Sequence, residues 1–412
     1  MAETADVVIV GAGVMGASIA FHLAERGAGR ILVLDRAYVA AGASGSSSGL
    51  VRMHYTYPPE VQLALLSLAY FNQWQERLGR PTSFRRTGFF RIVPVSQAAR
   101  LRANVGMQKA LGVNTQVVTR EELRELEPGW RLDDVEVAAY EPDSGYADGA
   151  TTAGDFLACA RERGASYRLG CRVRSLRIDG GCVVGVETDA GPIDAPVVVV
   201  AAGAWSRRLF EQAGIPLPLE CEHHDVLILT RTSVDGAPNR ACIDSSLGIY
   251  FRPEGQVQAL LGGFEGPRSL DPESVEPEAS ESSIEAKLRR AAYRVPSLAE
   301  AGVVRNVTGY YTMTPDSRAL LGPIPGAEGL FCCTGFSGMG FKISPAIGLV
   351  MSETILDGEA RTIDISGFHP HRFARGAPIR PADDYEIDRL DLEAISRDFP
   401  PASGLEEEDM AG

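Results

Sequence analysis

The chain has 412 residues, 45% hydrophobic and 23% charged, enough for two substantial domains or one large composite one. Its 54 acidic and 40 basic residues leave a formal charge of −14. That balance excludes nucleic acid and anionic membrane as main partners, because neither attracts a negative surface.

The seven cysteines form no Cys-x-x-Cys pair, and no Cys/His cluster has zinc spacing. This fits reduced thiols in the cytoplasm and no metal site. Only Lys109, Lys287 and Lys342 are lysines, so a lysine inside a motif stands out. The N-terminus carries Glu3 and Asp6 and lacks the basic start of a signal peptide. The uncharged stretch from Val7 to Phe21 is too short and glycine-rich to span a bilayer.

In chain order, Val7–Val10 reads as a buried parallel strand. A glycine turn follows, then a helix with Ile19, Ala20, Leu23 and Ala24 on one face, stopped at Gly27-Ala28-Gly29. Ile31–Leu34 is a second buried strand and completes a βαβ unit. Gly42 to Gly49 is too small and polar for a core and reads as a loop. The spacing predicts helix from about Pro59 to Leu78, and short strands mixed with charged helices over 85–140. A helix is expected from Asp155 to Arg163. Two strands then follow around Val173–Ile178 and Val183–Thr188, with Gly180-Gly181 as their turn. Val197–Val200 is another buried strand, closed by Ala201-Ala202-Gly203-Ala204-Trp205. From 216 to about 305 strands alternate with turns, with one charged helix near Ser280–Ala292. Cys332-Cys333 reads as core, and Pro345–Leu356 as a helix stopped at Asp357-Gly358. Beyond about Ala377 the chain is proline-rich and acidic, with one helix near Tyr385–Ser396 and a solvated acidic end at Glu406-Glu407-Glu408-Asp409.

Gly11-Ala12-Gly13-Val14-Met15-Gly16 matches Gly-x-Gly-x-x-Gly between strand and helix, and Asp35 ends the next strand about 20 residues further on. Gly11 permits the tight turn, Gly13 lets backbone approach a pyrophosphate, and Gly16 lets helix and strand pack closely. The helix N-terminus offers free N–H groups and a positive dipole end to the phosphates. Asp35 can accept from both ribose hydroxyls and would repel a 2′-phosphate, which disfavours NADP. The small-residue loops at Gly42–Gly49 and after Val200 exceed what NAD needs and suit a long FAD lying across the sheet.

Four stretches taken together resemble the D-amino-acid oxidase superfamily, in its sarcosine oxidase and glycine oxidase branch. They are the βαβ unit, Gly45-Ser-Ser-Ser-Gly-Leu-Val-Arg52, Ala202-Gly203-Ala204-Trp205, and the C-terminal pair Tyr311-Thr-Met-Thr-Pro-Asp316 and Gly335-Phe-Ser-Gly-Met-Gly-Phe-Lys342. The resemblance covers roughly residues 5–370. It implies an α/β protein with a discontinuous Rossmann-like FAD domain and a substrate domain on a mixed or antiparallel sheet. The FAD domain would take residues 1–84, 141–212 and 306–372, the substrate domain 85–140 and 213–305, and an extension 373–412. Non-covalent FAD would be held by Gly11, Gly13, Val14, Met15, Gly16, Asp35, Arg36, Ser44, Ser46, Ser47 and Arg52. Val173, Ala202, Gly203, Trp205, Gly338, Met339, Gly340, Phe341 and Lys342 would complete its site.

By the same resemblance, Lys342 lies at the flavin pyrimidine edge, where a cation stabilises reduced flavin and meets a substrate carboxylate. Arg52 either binds that carboxylate or anchors its loop. Tyr311 either closes the site or packs as a strand aromatic. Gly309 stands where some relatives attach FAD through cysteine, and the early loop has serines where others use histidine, so no covalent link is expected. Tyr250 stands where the monomeric sarcosine oxidases carry an oxygen-activating lysine, which leaves oxidase or dehydrogenase open. Tyr55 stands nearest a second arginine of those enzymes. Tyr250 and Arg252 are candidate cavity residues, and His54, His223 and His224 candidate bases, with a solvated strand end as the plainer reading of His223-His224. The expected reaction is oxidation of a C–N bond in a small amine or amino acid, with O2 or another electron acceptor. The alternatives are a 2-hydroxy acid dehydrogenase of the same superfamily and a flavin-binding subunit that needs a partner.

Overall fold

A computed structural model of the protein describes residues 3–230, 239–264, 266, 268–269, 271–274 and 279–385. The short β-branched runs pair into one six-stranded sheet. Its order is Ser166–Arg168, Ile31–Leu34, Val7–Val10, Val197–Val200, Leu330–Thr334 and Leu320–Pro323. All neighbours are parallel except the last pair. Such strands are apolar on both faces because both faces are covered.

Alternation sends Ile9, Val33, Val199 and Cys333 to the face packed by helices Val14–Glu25, Gly149–Glu162 and Ser344–Asp357. It sends Val8, Leu32, Val198 and Cys332 to the other face. A small sheet containing Val173–Asp179, Cys182–Thr188 and Gly191–Asp194 closes that second side. Ile9 has no exposed surface, and burial of such a side chain contributes on the order of 2 kcal/mol. Cys332 and Cys333 are both core, on opposite faces.

Helix limits follow local signals. The helix expected from Asp155 begins at Gly149, because Asp148 caps it by accepting from the Thr151 N–H at 2.6 Å. Gly149, Thr151, Thr152 and Gly154 hide that first turn from a propensity reading. The helix expected over 59–78 divides at Gln73 into Pro58–Asn72 and Trp74–Leu78. Ser280 caps Glu281–Arg294, and Gly358 ends Ser344–Asp357 in the left-handed conformation, φ +86°.

The second large sheet has nine strands among the described residues. It runs Gln116–Thr119, Val137–Glu141, Phe89–Ile92, Ala241–Asp244, Ile249–Glu254, Gln258–Gly263 and Glu220–Thr230, and the last also pairs with Arg268–Ser269 and Val303–Met313. It is mixed: Phe89–Ile92 and Ala241–Asp244 are parallel and the other pairs antiparallel. In register, Arg91 lies beside Ile243, and Ile243 beside Tyr250, so these three share one face. Phe90, Cys242 and Phe251 turn to the opposite face, into a core with Trp130 and Ala291.

The boundary expected at 305/306 falls inside Val303–Met313. That strand pairs along its length with Glu220–Thr230, so Tyr311 reaches the site from the large sheet. The run at 406–409 and the helix expected near Tyr385–Ser396, apart from Tyr385 itself, lie outside the described residues.

Candidate active site

One cavity of about 600 Å³ is lined by the glycine turn, Asp35, the Ser44–Ser48 loop, Trp205, Tyr311 and the Gly335–Lys342 turn. Two stretches from near the ends of the chain therefore meet around a single space. Gly11 adopts φ +112°, and a Cβ there would come within 2.4 Å of the Ala201 carbonyl oxygen. Only glycine fits this turn. Helix Val14–Glu25 has Gly13 as its N-cap, with no side-chain cap from it. The Val14 N–H donates to Ser44 Oγ at 3.0 Å. Asp35 is oriented by two N–H groups, Ala12 to Oδ2 and Ala37 to Oδ1, each at 2.8 Å. That leaves further lone pairs on the carboxylate for a ribose.

At this end Arg36 lies over Trp205 at 4.7 Å and pairs with Glu273, which also accepts from Trp205 Nε1 at 2.8 Å. The hydrogen bond from Arg36 holds the Glu273 carboxyl down at about 2. Glu273 was not visible as a site residue in the sequence, since a lone acid in a polar segment carries no signal.

Of the expected cofactor residues, Gly13, Val14, Met15, Asp35, Arg36, Ser44, Ser47, Val173, Ala202, Gly203, Trp205, Gly338, Gly340, Phe341 and Lys342 line the cavity with Gly11. Gly16, Ser46, Arg52 and Met339 do not. Gly16 permits close packing, since a Cβ there would meet the Gly11 oxygen at 1.9 Å. Ser46 packs at Gly309, the Met339 carbonyl accepts from the Tyr55 hydroxyl at 2.7 Å, and Arg52 lies against Tyr55 and Phe89.

At the other end Lys342, in the turn before helix Ser344–Asp357, is 5% exposed and has no hydrogen-bond or ion-pair partner among the described residues. Its ammonium stands 5.9 Å from the Tyr55 ring centre. Burial first, and then the Arg52 charge, pushes its pKa well below the ordinary lysine range, while Glu60 opposes them. Tyr311 lies between the His224 ring and the Gly338 backbone, where a Cβ would meet the phenol ring at 2.5 Å. Tyr250 lies outside the cavity lining, packed on Gly262, and its buried hydroxyl faces Tyr311 without a hydrogen bond of good geometry. Burial raises both phenols.

Arg52 is 8% exposed and donates to the His54 carbonyl, so one edge of it anchors the loop, but its Nε is buried and unpaired. His54 is covered by Tyr385, whose hydroxyl lies 2.6 Å from Nε2, and burial pushes the imidazole well below its ordinary range. His223 and His224 correct the expectation of a solvated strand end. Both are buried, because Glu220–Thr230 pairs with Val303–Met313 along their whole shared length. His224 is fixed by Gly263 O at 3.1 Å and Glu222 Oε1 at 2.8 Å. Arg252 ties the large sheet to the Ser48 carbonyl and pairs with Glu254.

A parallel sheet with a phosphate-ready glycine turn, roofed by a second sheet that brings Tyr311 to the same cavity, defines a dinucleotide-dependent oxidoreductase. The family model described as DAO, FAD dependent oxidoreductase, matches residues 6–354, and the chain belongs to that family. FAD is its cofactor. FAD-dependent oxidoreductase domain-containing protein 1 of Mus musculus is 29% identical over 92% of this chain and 86% of its own length. Mitochondrial sarcosine dehydrogenase of Homo sapiens is 28% identical over 90% of this chain, which spans only 42% of that protein. Among solved structures, L-proline dehydrogenase from P. horikoshii superposes with a TM-score of 0.85 and 25% identity, over 92% of this chain and all of the other. Glycine oxidase from Geobacillus kaustophilus gives 0.79 and 25%, over 90% and 99%.

Proposed function

We propose that the protein oxidises a C–N bond of a small amine or amino acid, giving an imine that water hydrolyses. Bound FAD supplies the hydride acceptor. The observation that carries this reading is one cavity with the glycine turn and Asp35 at the nucleotide end and Lys342 with Tyr311 at the other. The relatives named for sarcosine, proline and glycine oxidation support the substrate class.

The residues act by alignment and charge balance. Lys342, buried and without a partner among the described residues, is placed to become fully charged when negative charge develops beside it. Tyr311, clamped by His224 and Gly338, sets one wall. Gly309 offers no nucleophile and Ser46 packs against it, which supports non-covalent FAD. The seven cysteines are free thiols, which supports a reducing compartment such as the cytoplasm. No described helix is long and apolar enough to cross a membrane.

The test is anaerobic mixing of the FAD-loaded protein with N-methyl and D-amino acids while flavin absorbance is followed. Bleaching with release of ammonia, amine or aldehyde is expected. A 2-oxo acid formed from a 2-hydroxy acid, with no amine reacting, would overturn the reading. A second trace with air admitted separates oxidase from dehydrogenase.

A further inference from the structure

Outside the cavity lining, the large sheet presents a cation that the reaction does not use. Arg91 shares the face of Ile243 and Tyr250, so its side chain leaves the sheet on the side of the Arg52 loop. Its guanidinium lies 4.9 Å from the centre of the Tyr385 ring. Tyr385 in turn stacks on His54, ring centres 5.8 Å apart and planes within 12°. Arg91 Nε and Arg52 Nε are both buried with no hydrogen-bond partner, and neither guanidinium has an ion-pair partner among the described residues. The two charges feel each other: burial and Arg52 together bring the Arg91 pKa down to about 10.

Most of the nearby carboxylates are engaged elsewhere, and Glu141 alone among the described residues keeps a free oxygen close to Arg52. Glu60 pairs with Arg318 at 3.0 Å, and Asp244 with Arg294 at 2.7 Å. Asp384 takes Thr56 and Arg318. Glu141 accepts from the Met53 N–H and the Ser144 hydroxyl, with its other oxygen 3.9 Å from His54 Nδ1. Guanidinium Nε groups buried without a partner are costly, and the cost falls when an anion arrives.

We infer that Arg91, backed by Arg52 and roofed by Tyr385, is a subsite for a second acidic group of the substrate, so that the preferred amine is a dicarboxylic amino acid. The carboxylate next to the reacting carbon is left to Lys342 and Tyr311. The roof comes from a segment beyond the 6–354 family match. It is held by Asn104 to the Asp383 carbonyl at 2.8 Å and by Arg318 to Asp384 at 3.1 Å. Substrate entry to this subsite therefore requires Tyr385 to swing off Arg91, and its return shields the new ion pair from water.

The inference rests on the amine-oxidation reading, and two measurements keep them apart. Anaerobic flavin reduction compares N-methylaspartate and N-methylglutamate with N-methylglycine and N-methylalanine. Perturbation of oxidised-flavin absorbance compares the inert diacid glutarate with butanoate. The diacids are expected to be favoured about tenfold or more in both. Arg91→Met should bring both ratios close to one, and Arg91→Lys should restore part of them, because a point charge replaces the planar fork. Equal use of mono- and diacids by the unaltered protein, or ratios untouched by Arg91→Met, would overturn the subsite. Tighter glutarate binding that Arg91→Met abolishes, with no amine reducing the flavin, would keep the subsite and overturn the amine reading instead.

Discussion

The imidazole of His224 lies flat on the phenol ring of Tyr311, ring centres 3.8 Å apart and planes 26° from parallel. Glu222 and the Gly263 carbonyl hold the imidazole, and Gly338 closes the other side of the phenol. His224 and Gly338 thus hold the Tyr311 ring from its two sides.

Loss of that stack should therefore cost catalysis more than folding. His224→Ala is expected to lower kcat/KM for the best amine about tenfold, corresponding to roughly 1.4 kcal/mol. His224→Phe keeps a flat ring and should recover part of it. Steady-state kinetics of both variants, beside thermal melts, check this. Full activity in His224→Ala would show that Tyr311 needs no support.

Lys342→Met keeps the length of the side chain and removes the charge. Flavin reduction by amine is expected to slow about a hundredfold, while FAD remains bound because the Gly11–Asp35 end is untouched. Stopped-flow reduction and dissociation of FAD on dilution measure the two separately. Unchanged reduction rate and substrate affinity would remove Lys342 from the site.

The nucleotide end makes a different demand. Glu273 joins Arg36 and Trp205 at the cavity edge. Glu273→Ala should weaken FAD retention about threefold to tenfold, and Glu273→Gln less, because an amide oxygen still accepts from Trp205. The ion pair is partly exposed and contributes modestly by itself. Recovery of flavin fluorescence on dilution reads the effect. Identical retention in all three proteins would dismiss the clasp.

Glu60 gives the stability profile a slope. Burial raises its carboxyl from 4.5 to about 7, against the pull of Arg318. The folded protein therefore holds a proton that the unfolded chain releases between these values. The contribution is complete below pH 4.5 and is lost as pH rises through 7, to an extent of roughly 3 kcal/mol. Glu60→Gln cannot titrate, so its denaturant midpoint should fall less between pH 5 and 7.5 than that of the unaltered protein. Parallel profiles would show that Glu60 stays ionised throughout.

The nucleotide end was legible because its physics is local. A glycine turn, a helix N-terminus and Asp35 lie within one βαβ unit, and the β-branched runs state their own burial. Resemblance carried the reading to Tyr311, Gly338 and Lys342, which indeed line the same cavity.

What the sequence could not reveal depends on pairing between distant strands. His223 and His224 look like a polar strand end until Val303–Met313 lies beside them. Arg91 is one arginine among many until sheet alternation turns it beneath Tyr385, some 290 residues away in the chain. Motif spacing, glycine placement and the family resemblance thus settled the fold class and the cofactor. The burial and neutralisation of each charge were decided only by tertiary structure, because desolvation and ion pairing depend on which distant segments meet.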